Sequence, residues 1–369
     1  MSLGDLKVAL VHDELVRRGG AERVLEELIR VFPRAHIYAL YASNTPFITV
    51  DGKRYRIRTT FLQKFPVWFR QHPRRLALLL LHAAERLDLS KYDLVISSSS
   101  AFAKGIVTRS YVPHISYCHT PTRYIWERHS GGIFEKVAQH FLKMADFAAG
   151  QRPDIFVANS KYTQARLRKY YRRESTVIYP PVATDFYSPA YTSQKKEYFL
   201  CVGRLTPAKQ FDQAIAICEK LRLPLHIAGV GQDYARLKNL AGPATTFLGK
   251  ISDEELRLQY RGAWALLQPG IEDFGMATVE SLACGTPVIT PAAGGAPEII
   301  EDGKHGILYR EPVMELLAEA INKFLQKRES FNPSVLQEQA LKFSRSYFRS
   351  SLRNVVEEVL RKQHTGSTL

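Results

Sequence analysis

Strand-like apolar runs alternate with segments of helical period along this chain, and the alternation is played through twice. In the first half, 6-LKVALVH-12, 92-YDLVISSS-99 and 154-DIFVANS-160 read as buried parallel strands. Polar or glycine residues follow each run, and then a helical pattern such as 20-GAERVLEELIRVF-32. The second half offers 198-YFLCVGR-204, 225-LHIAGVG-231, 245-TTFLGK-250, 264-WALLQPG-270 and 287-PVITPA-292 as strands. Between them lie helical segments 209-KQFDQAIAICEKL-221, 253-DEELRLQYRGA-263 and 275-GMATVESLACG-285. Alternating β and α units predict a parallel sheet with helices on both faces. Here the prediction is an α/β chain of two doubly wound, Rossmann-like domains.

The division is expected within 177-VIYPPVATDFYSPAYTSQ-194, where paired prolines and a polar run stop regular structure. The expected domains are residues 1–180 and 181–342, and one last helical run, about 335–362, is expected to leave the second domain, its part within 343–369 crossing back to the first. Such folds bind ligands outside the carboxyl ends of their strands, so a cleft between two facing domains is the expected site.

At 369 residues the chain can bury more than one core. Hydrophobic residues at 45% and charged residues at 24% suit a soluble enzyme and exclude a disordered chain. Cys118, Cys201, Cys218 and Cys284 form no C-x-x-C pair, which argues against a zinc site or a disulfide framework. After 1-MSLGD the chain enters its first strand-like run, so a cytoplasmic location without a targeting segment is expected. The longest apolar run, within 76-LALLLLHAA-84, is too short to span a bilayer.

The formal charge of +15 is unevenly spread. Between Lys53 and Arg86 nine basic residues face one acid, Glu85, and are interleaved with Phe61, Phe65, Trp68 and Phe69. Cations mixed with large aromatics suit the headgroup region of an anionic membrane, which predicts a peripheral partner. A loop and core helix with solvated cations answers equally well. No nucleic-acid module is visible, so nucleic acid is not an expected partner.

In 270-GIEDFGMATVESLACGTPVIT-290 two acids, Glu272 and Glu280, flank a helix start at Gly275. The free N–H groups of a helix start favour phosphate. A carboxylate beside them binds no phosphate, but it accepts hydrogen bonds from polyol hydroxyls, and an acid further on suits a ribose. A nucleotide-activated sugar has that chemistry; so does a capping acid followed by a solvated one, and spacing alone leaves both open. Arg204 and Lys209 in 202-VGRLTPAK-209 follow a strand end, where two cations can clamp a diphosphate. Gly19 and Gly20 open the first helix without forming G-x-G-x-x-G, so no dinucleotide site is indicated. The second glycine loop, 292-AAGGAPEII-300, is compatible with tight helix–strand packing alone. In 116-SYCHTPTRYIWERHS-130, His119, Arg123, Tyr124 and Trp126 crowd behind a strand, although a lone histidine is more often structural than catalytic.

Eight segments in order resemble the retaining glycosyltransferases of family 4, which have the GT-B architecture. They are 17-RRGGAE-22, 116-SYCHTPTRYIW-126, 157-VANSKYT-163, 177-VIYPPVATDFYSP-189, 202-VGRLTPAK-209, 246-TFLGKISDEEL-256, 269-PGIEDFGMATVESLACGTPVI-289 and 294-GGAPEIIEDGKHGIL-308. The E-x7-E pattern with Phe274-Gly275 between its acids is the most diagnostic. Carried over, the resemblance implies that Arg204 and Lys209 hold the donor diphosphate and Glu272 bonds the sugar hydroxyls. Phe274, Gly275 and Met276 would offer backbone N–H groups, and Glu280 would bind the ribose. Gly20, with Gly19 beside it, would approach the donor, and the base would lie near Gly229, Lys250 and Ile251. His119, with Arg123 and Trp126, would line the acceptor side. The version 117-YCHTPTRYIWE-127 looks most like bacterial O-antigen and exopolysaccharide mannosyltransferases using GDP-mannose, with Thr122 where relatives often carry another residue.

The transition state for such transfer resembles an oxocarbenium ion leaving a diphosphate, whose charge two cations and a helix start would stabilise. No D-x-D occurs in the sequence, so neither a metal nor a cofactor is expected. The resemblance implies front-face attack rather than a carboxylate nucleophile. The acceptor is expected to be a glycan, carried on polyprenyl diphosphate. Rival readings are another nucleotide-sugar transferase, a nucleotide-sugar epimerase or a phosphorylase, and a non-catalytic basic binding protein.

Overall fold

The computed structural model describes residues 5–16, 18–43, 46–66, 77–127, 132–190 and 196–364. The chain divides into two compact units, Met1–Pro181 together with Phe348–Leu369, and Val182–Tyr347.

The first unit is built on β1 (Val8–Leu15), β2 (His36–Ala42), β3 (Phe47–Val50), β4 (Lys53–Thr59), β5 (Leu94–Ser99), β6 (His114–Cys118), β7 (Ile155–Ala158) and β8 (Ser175–Val177). Their order in the sheet is β3-β4-β2-β1-β5-β6-β7-β8, parallel except for the β3–β4 pair. The three runs read as strands are β1, β5 and β7, and the strand expected ahead of His119 is β6. The basic run beginning at Lys53 starts as a sheet strand, joined to β3 by a turn in which Asp51 and Gly52 both have positive φ, 50° and 76°. That is the geometry of a tight hairpin, and the Asp-Gly pair signals it. Several of the cations are held within the molecule. Arg54 lies over the Phe47 ring at 4.4 Å, and Arg58 donates to the Tyr38 and Tyr92 hydroxyls, both at 3.1 Å. Trp68, Phe69, Arg70, Arg74 and Arg75 lie outside the described residues.

The second unit has a wholly parallel sheet of β9 (Tyr198–Val202), β10 (Leu225–Ala228), β11 (Thr245–Gly249), β12 (Ala263–Leu267), β13 (Val288–Pro291) and β14 (Gly306–Tyr309). The order is β11-β10-β9-β12-β13-β14. Its first five strands in chain order coincide with the five apolar runs. β14 was hidden in Gly306–Tyr309, too short to announce itself.

One long helical run was expected near 335–362; the structure has two helices, Pro333–Leu341 and Arg345–His364. Ser344 interrupts them, its Oγ accepting from the Tyr347 N–H at 3.4 Å as a helix cap. Phe348, Leu352, Val356 and Val359 are spaced on one face of the last helix and are fully buried in the first unit's core. Each such side chain contributes about 1.5–3 kcal/mol relative to exposure. Arg349 adds a bond to Glu27 at 2.7 Å.

Candidate functional site

Parallel sheets of this kind leave their crevice where the strand order reverses, because the loops on either side of that point turn to opposite faces. In the second unit the reversal lies between β9 and β12. The loop after β9 carries Arg204 and Lys209, and the loop after β12 carries Glu272. Lys209 sits in a single turn, Pro207–Lys209, and its Nζ forms an ion pair with Glu272 Oε1, each side chain about a quarter exposed. Arg204 is exposed and has no polar partner among the described residues.

The loop bearing Glu272 is fixed by backbone packing. Gly294 has φ +68° and a Cβ there would stand 2.1 Å from the Glu272 carbonyl oxygen. A Cβ on Gly295 would stand 2.6 Å from the Phe274 Cα, and the Gly295 N–H donates to Glu272 O at 3.0 Å. The second glycine loop therefore does serve tight packing, and what it packs is the acid's own loop. Gly275 begins the helix Met276–Ala283 with φ +102°, a conformation that favours glycine. Phe274 is buried, its ring centroid 5.5 Å from that of Phe343. Glu280 lies one turn into the helix, 3% exposed, and its Oε2 accepts from the buried Tyr260 hydroxyl at 2.9 Å. Gln268 and Thr278, which the sequence did not single out, bond at 2.8 Å beneath Gly275.

Gly229, Lys250 and Ile251 follow the neighbouring strands β10 and β11 on the same sheet edge. Gly229 N–H donates to Gly249 O at 2.8 Å, and a Cβ on Gly229 would collide with Gly203 O, so these three loop ends are mutually fitted. Lys250 is exposed and Ile251 half-buried.

The first unit reverses its order between β1 and β5. His12 and Ser98 are register partners there, and His12 Nδ1 lies 3.0 Å from Ser98 Oγ. Ser98 Oγ is also 2.8 Å from Nε2 of His119, which follows β6. Burial, and after it the electrostatic influence of nearby His12, pushes the His119 pKa down to about 3, so the ring is neutral at physiological pH. Gly19 caps the helix Gly20–Val31, and its N–H donates to Glu22 Oε2 at 2.8 Å. Glu22 Oε1 in turn lies 3.6 Å from His12 Nε2. The Asp13 carboxylate accepts from four successive N–H groups, Ser100, Ala101, Phe102 and Ala103, at 2.5 to 2.9 Å. Sequence reading singled out Gly19, Gly20 and His119 here but not His12, Asp13, Glu22 or Ser98, although 12-HDE-14 lies at the end of the first strand.

Arg123 and Trp126 occupy a short helix, Arg123–Trp126. The Trp126 indole N–H donates to Asp146 Oδ2 at 2.7 Å and its ring stacks on Tyr170. Asp146 also accepts from Lys104 Nζ at 2.6 Å, Tyr171 OH at 2.7 Å and Thr122 Oγ1 at 2.9 Å. Thr122 thus closes an internal polar cluster in which the buried Lys104 charge is paired.

Comparison with known proteins fits this geometry. The model of Glycosyltransferase Family 4 matches residues 18–186, and that of Glycosyl transferases group 1 matches residues 184–340. A D-inositol 3-phosphate glycosyltransferase of Mycobacteroides abscessus is 26% identical over 317 residues, covering 72% of this chain and 71% of its own. A GDP-mannose-dependent alpha-(1-6)-phosphatidylinositol monomannoside mannosyltransferase of Mycobacterium tuberculosis is 28% identical over 210 residues, 49% of this chain and 54% of its own. Among solved structures, sucrose-phosphate synthase from Thermosynechococcus elongatus superposes with a TM-score of 0.77 at 17% identity, covering 96% of this chain and 99% of its own. With both halves matched and a strand-order reversal in each sheet dressed with polar side chains, the chain belongs to the group 1, family 4 glycosyltransferases, and its two parallel-sheet units are Rossmann-like domains of the GT-B fold.

Proposed function

We propose that this glycosyltransferase is a retaining hexosyltransferase that moves mannose from GDP-mannose onto a glycan carried on polyprenyl diphosphate, at the cytoplasmic face of a membrane, in cell-surface polysaccharide assembly. The observation that carries the reading is the contact between Lys209 and Glu272 at the strand-order reversal of the second unit. A cation and an acid meet there beside the start of the helix Met276–Ala283. Lys209 and exposed Arg204 would take the diphosphate oxygens, and Glu272 would accept bonds from the adjacent sugar hydroxyls. The amide groups at Gly275 and Met276 would add positive potential where the leaving group gains charge. Such a site needs no metal for the diphosphate, so a chelator should leave turnover unchanged. Glu280 would hold the ribose, and Gly229, Lys250 and Ile251 would border the base.

Bond cleavage would place positive charge on the anomeric carbon and negative charge on the departing phosphate. Attack from the same face would let the departing phosphate take the proton of the acceptor hydroxyl, which preserves anomeric configuration. In the first unit, His119 and the backbone at Gly19 and Gly20 would bond sugar hydroxyls.

Support for a membrane-borne acceptor comes from an apolar face of the first unit. Helix Ile133–Gly150 exposes Val137, Phe141 and Met144 at helical spacing, at 50%, 61% and 56%, and the adjoining helix Ala77–Glu85 exposes Leu78 at 61%. Apolar side chains beside a basic segment suit an anionic bilayer surface. Among the described residues no helix is long and apolar enough to cross a membrane.

Incubation with a panel of GDP- and UDP-sugars, reading slow hydrolysis of each, tests the donor. GDP-mannose should stand out, and preference for another nucleotide sugar would overturn the donor assignment. Flotation with anionic vesicles at low salt tests the surface; no binding would remove the membrane from the reading.

A further inference from the structure

Ser98 lies between two imidazoles, and its hydroxyl has one proton to give. His12 Nδ1 is 3.0 Å from Ser98 Oγ and His119 Nε2 is 2.8 Å from it. If Ser98 donates to one ring, it accepts from the other, so whenever both rings are neutral their tautomers are not independent. Two arrangements satisfy both contacts. In one, His12 carries its proton on Nδ1 and His119 on Nδ1; in the other, each ring carries it on Nε2.

Glu22 decides between them. Its Oε2 is anchored by the Gly19 N–H at 2.8 Å, and its Oε1 faces His12 Nε2 at 3.6 Å. Burial opposes ionisation of Glu22, but hydrogen bonding to its carboxylate, from His12 and from backbone N–H, outweighs it and the carboxyl pKa falls below its ordinary value. A separation of 3.6 Å is too long for a strong hydrogen bond. It is short enough that a bare Nε2 lone pair facing the carboxylate is repelled, whereas an N–H there is attracted. With the proton on His12 Nε2, His12 Nδ1 accepts from Ser98, and Ser98 Oγ accepts from His119 Nε2–H. His119 Nδ1 is then left with its lone pair. That atom has no hydrogen-bond partner among the described residues, and His119 is only half-buried.

We propose that Glu22, acting through His12 and Ser98, holds His119 in the Nε2–H tautomer, so that His119 Nδ1 meets a substrate hydroxyl as an acceptor. Glu22, His12 and Ser98 are positioning residues. The hydroxyl as ligand rests on the reading of His119 as a sugar-facing residue; the tautomer does not. The relay also ties the glycine pair to the histidine, since the carboxylate that caps the helix at Gly19 is the one that orients His12.

Imidazole 15N chemical shifts separate protonated from bare nitrogens, and at about pH 8 an imidazole of ordinary acidity is neutral. The whole chain, labelled with 15N-histidine, would be recorded at that pH, with His119→Gln assigning the His119 signals. The His119 Nε2 signal should fall in the protonated range and Nδ1 in the bare range. In Glu22→Gln the charge is gone while the side chain keeps its shape, and the His119 Nδ1 signal should move toward the protonated range. In Ser98→Ala the link is cut, and adding Glu22→Gln should then leave His119 unmoved. Wild-type His119 protonated mainly on Nδ1, or signals unaffected by Glu22→Gln alone, would overturn the proposal. Neither readout depends on turnover, so a failed donor assay and a failed relay are separate results.

Discussion

Where the second sheet reverses its strand order, a lysine and a glutamate meet in an ion pair, each partly exposed. Where the first sheet reverses, two histidines share a serine, and the aspartate beside them is consumed by backbone N–H groups. The same topology thus supports two chemistries. The charged junction suits a ligand that is itself charged at one end and polyhydric at the other. The imidazole junction suits hydroxyls, where orientation of donors and acceptors matters more than field strength. Each junction thus has its own chemistry, charge at one and hydrogen-bond direction at the other.

The sharpest way to break that division is Glu272→Ala. Transfer should fall by about 10³-fold, as for loss of a group that binds the reacting sugar. Lys209 is then relieved of its partner, so GDP affinity should hold or rise while the melting temperature stays close to wild type. Turnover within a factor of about ten would sink the assignment of the charged junction.

Asp13→Ala attacks the other junction and should act on stability. Four N–H groups lose their acceptor, at a cost of about 3 kcal/mol or roughly 10²-fold in the folding equilibrium. Denaturant titration reads this, and GDP affinity measured on the folded fraction should not change. Arg204→Ala returns to the charged side, where loss of one cation should weaken GDP binding about tenfold. Titration calorimetry showing wild-type affinity would contradict the diphosphate clamp. The smallest effect belongs to Trp126→Phe, which removes the indole bond to Asp146 and should cost about 1 kcal/mol. If it instead raised the acceptor KM strongly with stability intact, Trp126 would belong to the acceptor site as its sequence setting implied.

The charged junction was the more legible of the two in the sequence. Arg204, Lys209 and Glu272 follow strand ends that announce themselves through apolar runs such as 198-YFLCV-202, and parallel topology collects strand ends on one edge. The imidazole junction stayed hidden because its parts are separated by 86 residues between His12 and Ser98. Nothing in 97-SSSS-100 distinguishes the serine that bridges two rings from the three that do not. The hairpin at Asp51-Gly52 was legible as a turn signal yet was overshadowed by the charge run that begins at Lys53. β2, with seven residues in His36–Ala42, is so nearly all buried that it shows no alternation to mark it. The break at Ser344 was missed for the opposite reason, since the amphipathic pattern runs on across a cap that needs only one hydroxyl.

The clasp formed by Asp13 has a kinetic face. Four consecutive amides, Ser100 to Ala103, are held by one side chain at the end of β1. They cannot be released singly, so in deuterated water they should exchange as a block, at a rate set by detachment of the carboxylate rather than by fraying of the turn. The segment that carries Ser98 into the loop therefore opens only when the end of β1 opens with it, and the alignment of His12 with Ser98 lasts as long as that clasp stays shut.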